Sequence, residues 1–463
     1  WSRRSKGCAV ANSNAASGFA GPELQSDRLR VAITWEKGLC LQALTDFDVG
    51  DSIHKEPPAL AVGGGGATRE ESATQCVAAF NELPAKSREA ILGLYCPDKP
   101  LPGLEDLEIS LSEEERKFLR ILAVNGVSLP DARRGVFVTP SRANHSCRPN
   151  SAFVVSESGD LSLVAISEIE EGEEITVSYL SETDLLSPRN TRQRYLESWG
   201  FVCGCPRCSA AFDDVRSMRC GACGDGEVRW NHGGGHQECT ACGGSAAERE
   251  LQRSEGHWWS RYSQLPEDEG STLYGFRSRR YDPDDPRPSL GPAASPRKLK
   301  RMGFMAKTID LYRELCESKG PCPMVLGADR RTWARFGHFL AGGIADVAAE
   351  AHIWRGEYEE AAAAAQVRRR FVSQALGGAF SYEGAMAAAT QGTALALSGE
   401  VRRGQRLLRD ALREAETLRW KDNELVLHIR SQLRLLPPAP EPEGSDDDSD
   451  DPLDTFEDTT TPY

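Results

Sequence analysis

The residues best suited to chemistry lie in three short strings of this 463-residue chain. The first reads Ser-Arg-Ala-Asn-His-Ser-Cys-Arg-Pro-Asn over 141–150, and the second reads Gly-Glu-Glu-Ile-Thr-Val-Ser-Tyr over 172–179. The third reads Trp-Gly-Phe-Val-Cys-Gly-Cys-Pro-Arg-Cys over 199–208. His145 stands among polar residues without helical or strand periodicity, which favours a functional site over a core position.

Eight of the fourteen cysteines are clustered, and their spacing favours metal binding. Pairs separated by two residues are awkward as disulfides but suit a tetrahedral zinc ion, and a structural zinc site needs four ligands. Disulfide pairs with spare thiols are the alternative. The clustered cysteines are Cys147, Cys203, Cys205, Cys208, Cys220, Cys223, Cys239 and Cys242.

The last four of these cysteines form a zinc-ribbon pattern, with fifteen residues between Cys223 and Cys239. Neighbouring glycines provide the turns that such a site requires. His232 and His236 lie between the pairs and could also be ligands, although four cysteines already complete the shell. A closed shell predicts a structural metal, because a catalytic zinc keeps an open position.

The net charge of −14 is concentrated at one end of the chain. Ten acidic residues and no basic one fall within 441–463, so the rest of the chain carries only about −4. Such a body has no electrostatic footprint for non-specific or sequence-specific nucleic-acid binding. We find no apolar run of the roughly 18 residues that span a membrane and no secretory signal, so we expect reduced thiols in the cytoplasm or nucleus.

The first half of the chain predicts a β-rich domain that is split by helices. Strand-like runs occur at both ends of this region, whereas the middle has helical spacing over 74–95, broken at Pro84. A capping box at Ser112 starts a second helix that runs to about Leu129. The tetraglycine at 63–66 fits no phosphate-binding template and is interpreted as a linker.

Residues 311–435 are rich in Ala, Leu, Arg and Glu and predict an all-α domain. The spacing of small and aromatic residues over 351–362 is typical of a tetratricopeptide-type helical hairpin, with a weaker copy over 387–412. An ordinary helical bundle is the alternative. The basic run at 297–301 is either a nuclear localisation patch or a solvated linker.

Taken together and in this order, the three strings resemble the SET-domain protein lysine methyltransferases, in particular the SET-and-MYND branch and its fungal-type relatives. The resemblance extends over roughly 29–435. Two departures are visible. The space between the two halves contains only Cys76 and Cys96, so the MYND zinc finger is missing. The first glycine of the usual Gly-x-Gly before the cofactor is replaced by Glu36.

The resemblance implies an α+β fold, a split SET domain with a helical insertion, a zinc-bound post-SET segment, a zinc ribbon and a tetratricopeptide-like C-terminal domain. The predicted segments are a disordered lead-in at 1–28, the SET domain at 29–200 with its insertion at about 57–130, the zinc segment at 201–244, a linker at 245–301, the helical domain at 302–436 and an acidic disordered tail at 437–463.

By the same resemblance, Tyr179 is the catalytic tyrosine, whose hydroxyl orients the amine that receives the methyl group. Core packing is the other reading of a tyrosine that ends a strand. The implied contacts of S-adenosylmethionine are the side chain of Asn144, the backbone and ring of His145, the ring of Phe201 on the adenine, Asn125, and backbone groups of Lys37 and Leu39. Cys147 is implied as the fourth zinc ligand beside Cys203, Cys205 and Cys208.

The chemistry agrees with this implied function. Methyl transfer from a sulfonium to an amine is an in-line displacement, so the protein must align two reactants. It must also favour a neutral lysine, whose pKa is about 10.4 in water, and an apolar channel does so by desolvation. We therefore expect a protein-lysine N-methyltransferase with S-adenosylmethionine, two structural zinc ions, a histone or non-histone substrate and protein partners on the helical domain. A non-catalytic scaffold with a degenerate core is the alternative.

Overall fold

The computed structural model describes residues 26–34, 38–63, 68–97, 104, 107, 109–224, 226–231, 237–265, 296–318, 322–323, 337–418 and 424–436. Several predictions fall outside these ranges: nearly all of the lead-in, Lys37, His232, His236, most of the tetraglycine and the whole acidic tail.

A four-stranded sheet joins the two halves of the β-rich domain. Strand β1 (Leu29–Thr34) pairs with β2 (Gly38–Ala43) in antiparallel register along their full length. Strand β10 (Glu174–Val177) lies antiparallel on the other side of β2, and β7 (Asn144–His145) runs parallel to β10 at the edge. The sheet thus places the first and second strings side by side.

Two three-stranded sheets complete the domain. One has the order β3 (Ser52–Glu56), β9 (Leu161–Ala165), β8 (Ser151–Val155), and all its pairs are antiparallel. The other has the order β4 (Leu60–Gly63), β6 (Arg133–Val136), β5 (Val127–Ser128). Since β4 pairs with β6, the first strand of the predicted insertion belongs to the β framework.

Three helices form the insertion, α1 (Arg69–Asn81), α2 (Ala85–Leu92) and α3 (Glu113–Asn125). The break at Pro84 is confirmed, and Ser112 and Glu115 make both bonds of the predicted capping box. Phe80 stacks on Phe118 with ring centroids 4.2 Å apart, which locks α1 against α3. Helix α3 ends four residues before the predicted Leu129, because Gly126 is extended and β5 follows.

The segment after the β framework contains short helices and a small ribbon. Its helices are α4 (Glu182–Leu185), α5 (Arg189–Leu196) and α6 (Pro206–Ser209). The ribbon strands are β11 (Phe212–Arg219), β12 (Glu227–Asn231), β13 (Gln237–Glu238) and β14 (Ser245–Ala246). A distant strand, β15 (Cys322–Pro323), adds to the edge of β11.

The predicted linker over 245–301 was wrong in part, because it contains a helix, α7 (Glu248–Ser263), and the start of another, α8 (Pro296–Glu317). Leu251 and Trp258 are seven residues apart, lie on one face of α7 and are buried. Trp258 packs with Met305 and Ile309 in the core of the helical region. The polar composition of the segment concealed these two apolar positions.

The C-terminal region is helical, as predicted. Its helices are α9 (Phe339–Arg355), α10 (Tyr358–Leu376), α11 (Tyr382–Leu397), α12 (Val401–Thr417) and α13 (Glu424–Leu435). The repeat-like stretches over 351–362 and 387–412 lie across the α9–α10 and α11–α12 turns. A Cβ on Gly404 would lie 2.4 Å from the Gly392 carbonyl oxygen, so these glycines let α11 and α12 approach closely. Within the described residues no helix has the length and apolarity to cross a bilayer.

Buried and half-buried carboxylates lie where the β-rich domain meets the helical region. The Glu182 carboxylate on α4 accepts from the Glu383 backbone N–H at 2.9 Å, and the Glu383 carboxylate binds the Arg368 guanidinium at 2.6 Å. Glu414 accepts from the Ser381 backbone N–H at 2.8 Å. Burial raises the pKa of Glu414 to about 7, and the nearby Glu182 adds to this shift.

We predict that Glu414 makes the chain less stable as the pH rises from about 4.5, the ordinary pKa of a glutamate, to about 7. The folded state binds this proton more tightly than the unfolded state, so each pH unit in this window costs up to about 1.4 kcal/mol of the free energy of unfolding. Glu414→Gln should flatten the dependence in chemical denaturation. Asp410→Asn, on the same helix, is the control. An equal slope in wild type and Glu414→Gln would contradict the prediction.

Candidate active site and cysteine clusters

The parallel pairing of β7 with β10 brings the first two strings together. Asn144 is opposite Thr176, and His145 is opposite Val177. Just beyond β10, the backbone N–H of Tyr179 donates to Nδ1 of His145 at 3.0 Å. The geometry therefore joins three residues that the sequence predicted for one site, although 34 positions separate His145 from Tyr179.

Tyr179 stands at the centre of an aromatic cluster. Its ring stacks on Trp199 at 5.9 Å, meets Phe201 edge-on at 6.1 Å and lies 5.4 Å from the His145 ring, all measured between centroids. Its hydroxyl donates to the Ala143 carbonyl at 3.0 Å. The structure places Phe201 beside Tyr179 and gives the phenol a fixed direction, while the predicted stacking of Phe201 on adenine stays a prediction.

The Tyr179 phenol is held in its neutral form. Burial raises the pKa of Tyr179 well above its ordinary value of 10.0, and the charges of Tyr95 and Glu174 add to the shift. A neutral phenol that donates to Ala143 keeps its oxygen lone pairs for a second partner. The group is therefore arranged to orient a donor and is unsuited to accept a full proton at neutral pH.

Asn144 connects the first string to β2. Its amide nitrogen Nδ2 donates to the Leu39 carbonyl at 3.1 Å and to Glu174 Oε1 at 2.9 Å. Because both amide hydrogens are committed, Asn144 can offer a ligand only its oxygen, Oδ1. Leu39 is 41% exposed, so this end of β2 is open to solvent.

The His145 ring is buried and lies between the backbone of Tyr179 and the sulfur of Cys147. Since Nδ1 accepts from the Tyr179 N–H, the ring hydrogen of the neutral tautomer lies on Nε2, which is 3.3 Å from Cys147 Sγ. The imidazole thus links the tyrosine backbone to a cysteine. The predicted contact of this ring with a cofactor remains a prediction, and the structure gives the ring these two other partners.

Asn125 reaches the aromatic cluster through intermediaries. Its amide donates to the carbonyls of Ile121 and Tyr95, each at 2.9 Å. The Tyr95 hydroxyl donates to the Trp199 carbonyl at 2.5 Å. The predicted direct role of Asn125 in cofactor binding is untested, and its bonds tie the helical insertion to the third string.

Sequence reasoning missed three residues of this site. Trp199 stood at the head of the third string, and its position two residues before Phe201 was an available signal. Glu174 follows the Gly-Glu of the second string and anchors the Asn144 amide. Tyr95 carried no signal, because it lies more than 100 residues from Trp199 and ends a helical segment.

One group of four cysteines joins the first and third strings; we term Cys147, Cys203, Cys205 and Cys208 the bridging cluster. All four are buried and free of disulfides, and their sulfurs lie within 4.8 Å of one another. The Cys147 and Cys208 sulfurs are 3.5 Å apart. A tetrahedral zinc with bonds of about 2.3 Å separates its sulfurs by about 3.8 Å, so the thiols match a four-coordinate metal.

The other group, which we term the ribbon cluster, consists of Cys220, Cys223, Cys239 and Cys242. Its sulfurs also lie within 4.8 Å of one another, with Cys223 and Cys239 3.6 Å apart. Gly224 and Gly243 have φ values of +75° and +65°, which turn the chain after each pair. Backbone N–H groups point at each sulfur, from Ala222, Gly226, Ala241 and Gly244. Each group could therefore hold a metal ion.

The β-rich domain matches a known protein family. The family model described as "SET domain" matches residues 38–180. Residues 38–180 form a SET domain. The matched segment is almost the same part of the chain that carries the sheet, the insertion and Tyr179.

Curated relatives match shorter parts of the chain. The chain is 41% identical over 76 residues to Histone-lysine N-methyltransferase SET5 of Meyerozyma guilliermondii, covering 16% of this chain and 15% of the relative. It is 38% identical over 96 residues to Protein-lysine N-trimethyltransferase SMYD5 of Homo sapiens, covering 20% and 23%. The chain thus spans less than a quarter of the length of these two relatives.

A solved structure described as the SET domain of LSMT bound to lysine and AdoHcy aligns with 87% of this chain and 89% of that chain. The TM-score is 0.28 at 11% sequence identity, which is too low to bear on the fold.

We predict that Cys147→Ser removes one metal ion per chain and leaves the ribbon cluster loaded. Loss of one thiolate opens a four-coordinate structural shell and forfeits the folding energy that the metal supplies. Elemental analysis should show the loss, and limited proteolysis should show new cleavage in 199–211. Cys40→Ser, which changes a buried cysteine outside both clusters, is the control. Unchanged metal content in Cys147→Ser would show that Cys147 is not a ligand.

Proposed function

We propose that this chain is an S-adenosylmethionine-dependent protein-lysine N-methyltransferase. The observation that carries the proposal is the neutral Tyr179 phenol, fixed between the Ala143 carbonyl and a wall formed by Trp199, Phe201 and His145. The SET domain match and the names of the relatives, which are protein-lysine and histone-lysine methyltransferases, support the same reaction.

The residues around Tyr179 fit S-adenosylmethionine in chemical type. Asn144 Oδ1 can accept from the ammonium of the amino-acid end, since both hydrogens of that amide are already donated. The half-buried Phe201 ring offers a flat apolar surface suited to adenine. When bound, the cofactor supplies an electrophilic methyl group on its sulfonium. Roles for Lys37, Leu39 and Asn125 in holding it are part of this proposal.

The contribution of the chain is orientation and exclusion of water. The Tyr179 hydroxyl donates to Ala143, so its oxygen can accept a hydrogen from the substrate amine and direct the amine lone pair. Exclusion of water beside the aromatic wall disfavours the charged form of a lysine that enters there. The raised pKa of Tyr179 keeps this hydroxyl protonated throughout the physiological range.

Both cysteine clusters are proposed to hold structural zinc. Four cysteines are a common set for a closed zinc shell, and neither group leaves a position open for water or substrate. Zinc in the bridging cluster would stabilise the third string and the post-SET segment, and zinc in the ribbon cluster would stabilise β11–β14. No step of methyl transfer requires either metal.

The remaining features extend the proposal to the whole chain. The α9–α10 and α11–α12 hairpins are proposed to be tetratricopeptide-like and to present surfaces to protein partners. The substrate is a protein lysine, histone or non-histone, and the protein acts in the cytoplasm or nucleus. The Cys-rich clusters without disulfides agree with a reducing compartment.

We predict that Tyr179→Phe lowers the rate of methyl transfer at least about 100-fold, as expected when a positioned polar group is removed from a dry site. The ring remains and should still pack on Trp199, so the melting temperature and zinc content should not change. The measurement uses labelled S-adenosylmethionine, with cell extract as the source of substrates and mass spectrometry to locate the methyl group.

Tyr195→Phe is the matched control, because it deletes the same oxygen from a tyrosine that is 41% exposed on α5. It should retain the wild-type rate. Near-wild-type turnover by Tyr179→Phe would reject the role of Tyr179. Labelling of something other than lysine by the wild-type chain would reject the proposed reaction.

A further inference from the structure

Arg192 on α5 is a buried cation next to the bridging cluster. Arg192 is only 1% exposed. Nη1 donates to the Ser187 carbonyl at 2.6 Å, and Nη2 donates to Cys208 Sγ at 3.7 Å. A guanidinium is costly to bury unless negative charge balances it, so the source of that charge must be found nearby.

The carboxylates near Arg192 have other hydrogen-bond partners. Among the described residues, none pairs with Arg192 within 4.0 Å. Asp213 accepts from the Arg189 backbone N–H at 2.8 Å, and Asp214 binds the guanidinium groups of Arg207 and Arg148. Both aspartates and the cluster cysteines add to the field at Arg192, but the side chain that Arg192 contacts is a cysteine.

The charge of the cluster depends on the metal. Four neutral thiols carry no charge, whereas four thiolates around a divalent ion carry two net negative charges. Arg192 therefore matches the loaded cluster and is poorly matched to an empty, protonated one. The adjacent Gln193 holds the backbone of the same cluster. Its side-chain amide donates to the Cys203 carbonyl and accepts from the Cys203 N–H, both at 2.8 Å.

We propose that Arg192 is a positioning residue whose buried charge balances the thiolates of the bridging cluster and slows the loss of its metal. Together with Gln193 it makes α5 the support of this cluster. The inference rests on the zinc assignment of the proposed function. It concerns the retention of the metal and assigns Arg192 no part in methyl transfer.

The test compares three variants of the full zinc-loaded chain. Arg192→Lys keeps the charge, Arg192→Gln removes it, and Arg194→Gln changes an exposed arginine of the same helix. A colorimetric chelator in excess reports the rate of zinc release. We expect Arg192→Gln to release one of two zinc ions at least about tenfold faster, the usual scale for a partner of a metal ligand. Arg192→Lys and Arg194→Gln should stay near the wild-type rate.

A spectroscopic readout separates charge from packing. In the cobalt-loaded chain, the thiolate-to-metal absorption of one site should move to longer wavelength in Arg192→Gln, because a nearby positive charge lowers the energy of the sulfur electrons. Arg192→Lys should show a smaller shift. Equal acceleration of zinc release in Arg192→Lys and Arg192→Gln, or no acceleration in either, would overturn the proposal.

Misfolding of Arg192→Gln would also be decisive. Excess zinc stabilises a loaded fold by mass action, so it should restore the wild-type melting temperature if the defect is weakened metal binding. A variant that stays unfolded in excess zinc would overturn the proposal. Failure of the zinc assignment itself is distinguishable, because the wild-type chain would then contain fewer than two zinc ions.

Discussion

The convergence of Cys147 with Cys203, Cys205 and Cys208 is the constraint on which the rest of the site depends. Cys147 lies three residues after Asn144 and two after His145, whereas the other three cysteines directly follow Trp199 and Phe201. A metal bound by these thiols would hold the polar and aromatic halves of the site together. Without a metal, the buried thiols would have no common ligand and the buried arginines beside them would lack its compensating thiolate charge.

The strands of the SET domain also position the residues of the site. The parallel β7–β10 pair sets the distance between His145 and Tyr179, and β2 offers the Leu39 carbonyl to Asn144. The His145 ring then connects the tyrosine backbone to Cys147. Sheet hydrogen bonds and the bridging cluster therefore act on the same few residues, and this explains how a polar string with only a two-residue strand of its own can hold a site.

Much of this could be predicted, and the failures have identifiable physical causes. The strands, the capping box at Ser112, the ribbon cluster and the close spacing of Cys203, Cys205 and Cys208 follow from local patterns. The assignment of Cys147 to the bridging cluster came from the family resemblance. The helix α7 was missed because only Leu251 and Trp258 mark its buried face among polar neighbours. Tyr95, Arg192 and the Glu182–Glu414 junction depend on contacts between distant segments, and one sequence contains no information on such pairs.

Calorimetric titration of S-adenosylmethionine into the chain before and after removal of zinc tests the central claim most directly. A ribbon-cluster variant, Cys242→Ser, separates the effect of the two clusters. We predict binding of one cofactor per chain to the loaded wild type and to Cys242→Ser, no binding after both zinc ions are removed, and recovery when zinc is restored. Cofactor binding of undiminished affinity by the zinc-free chain would contradict the account.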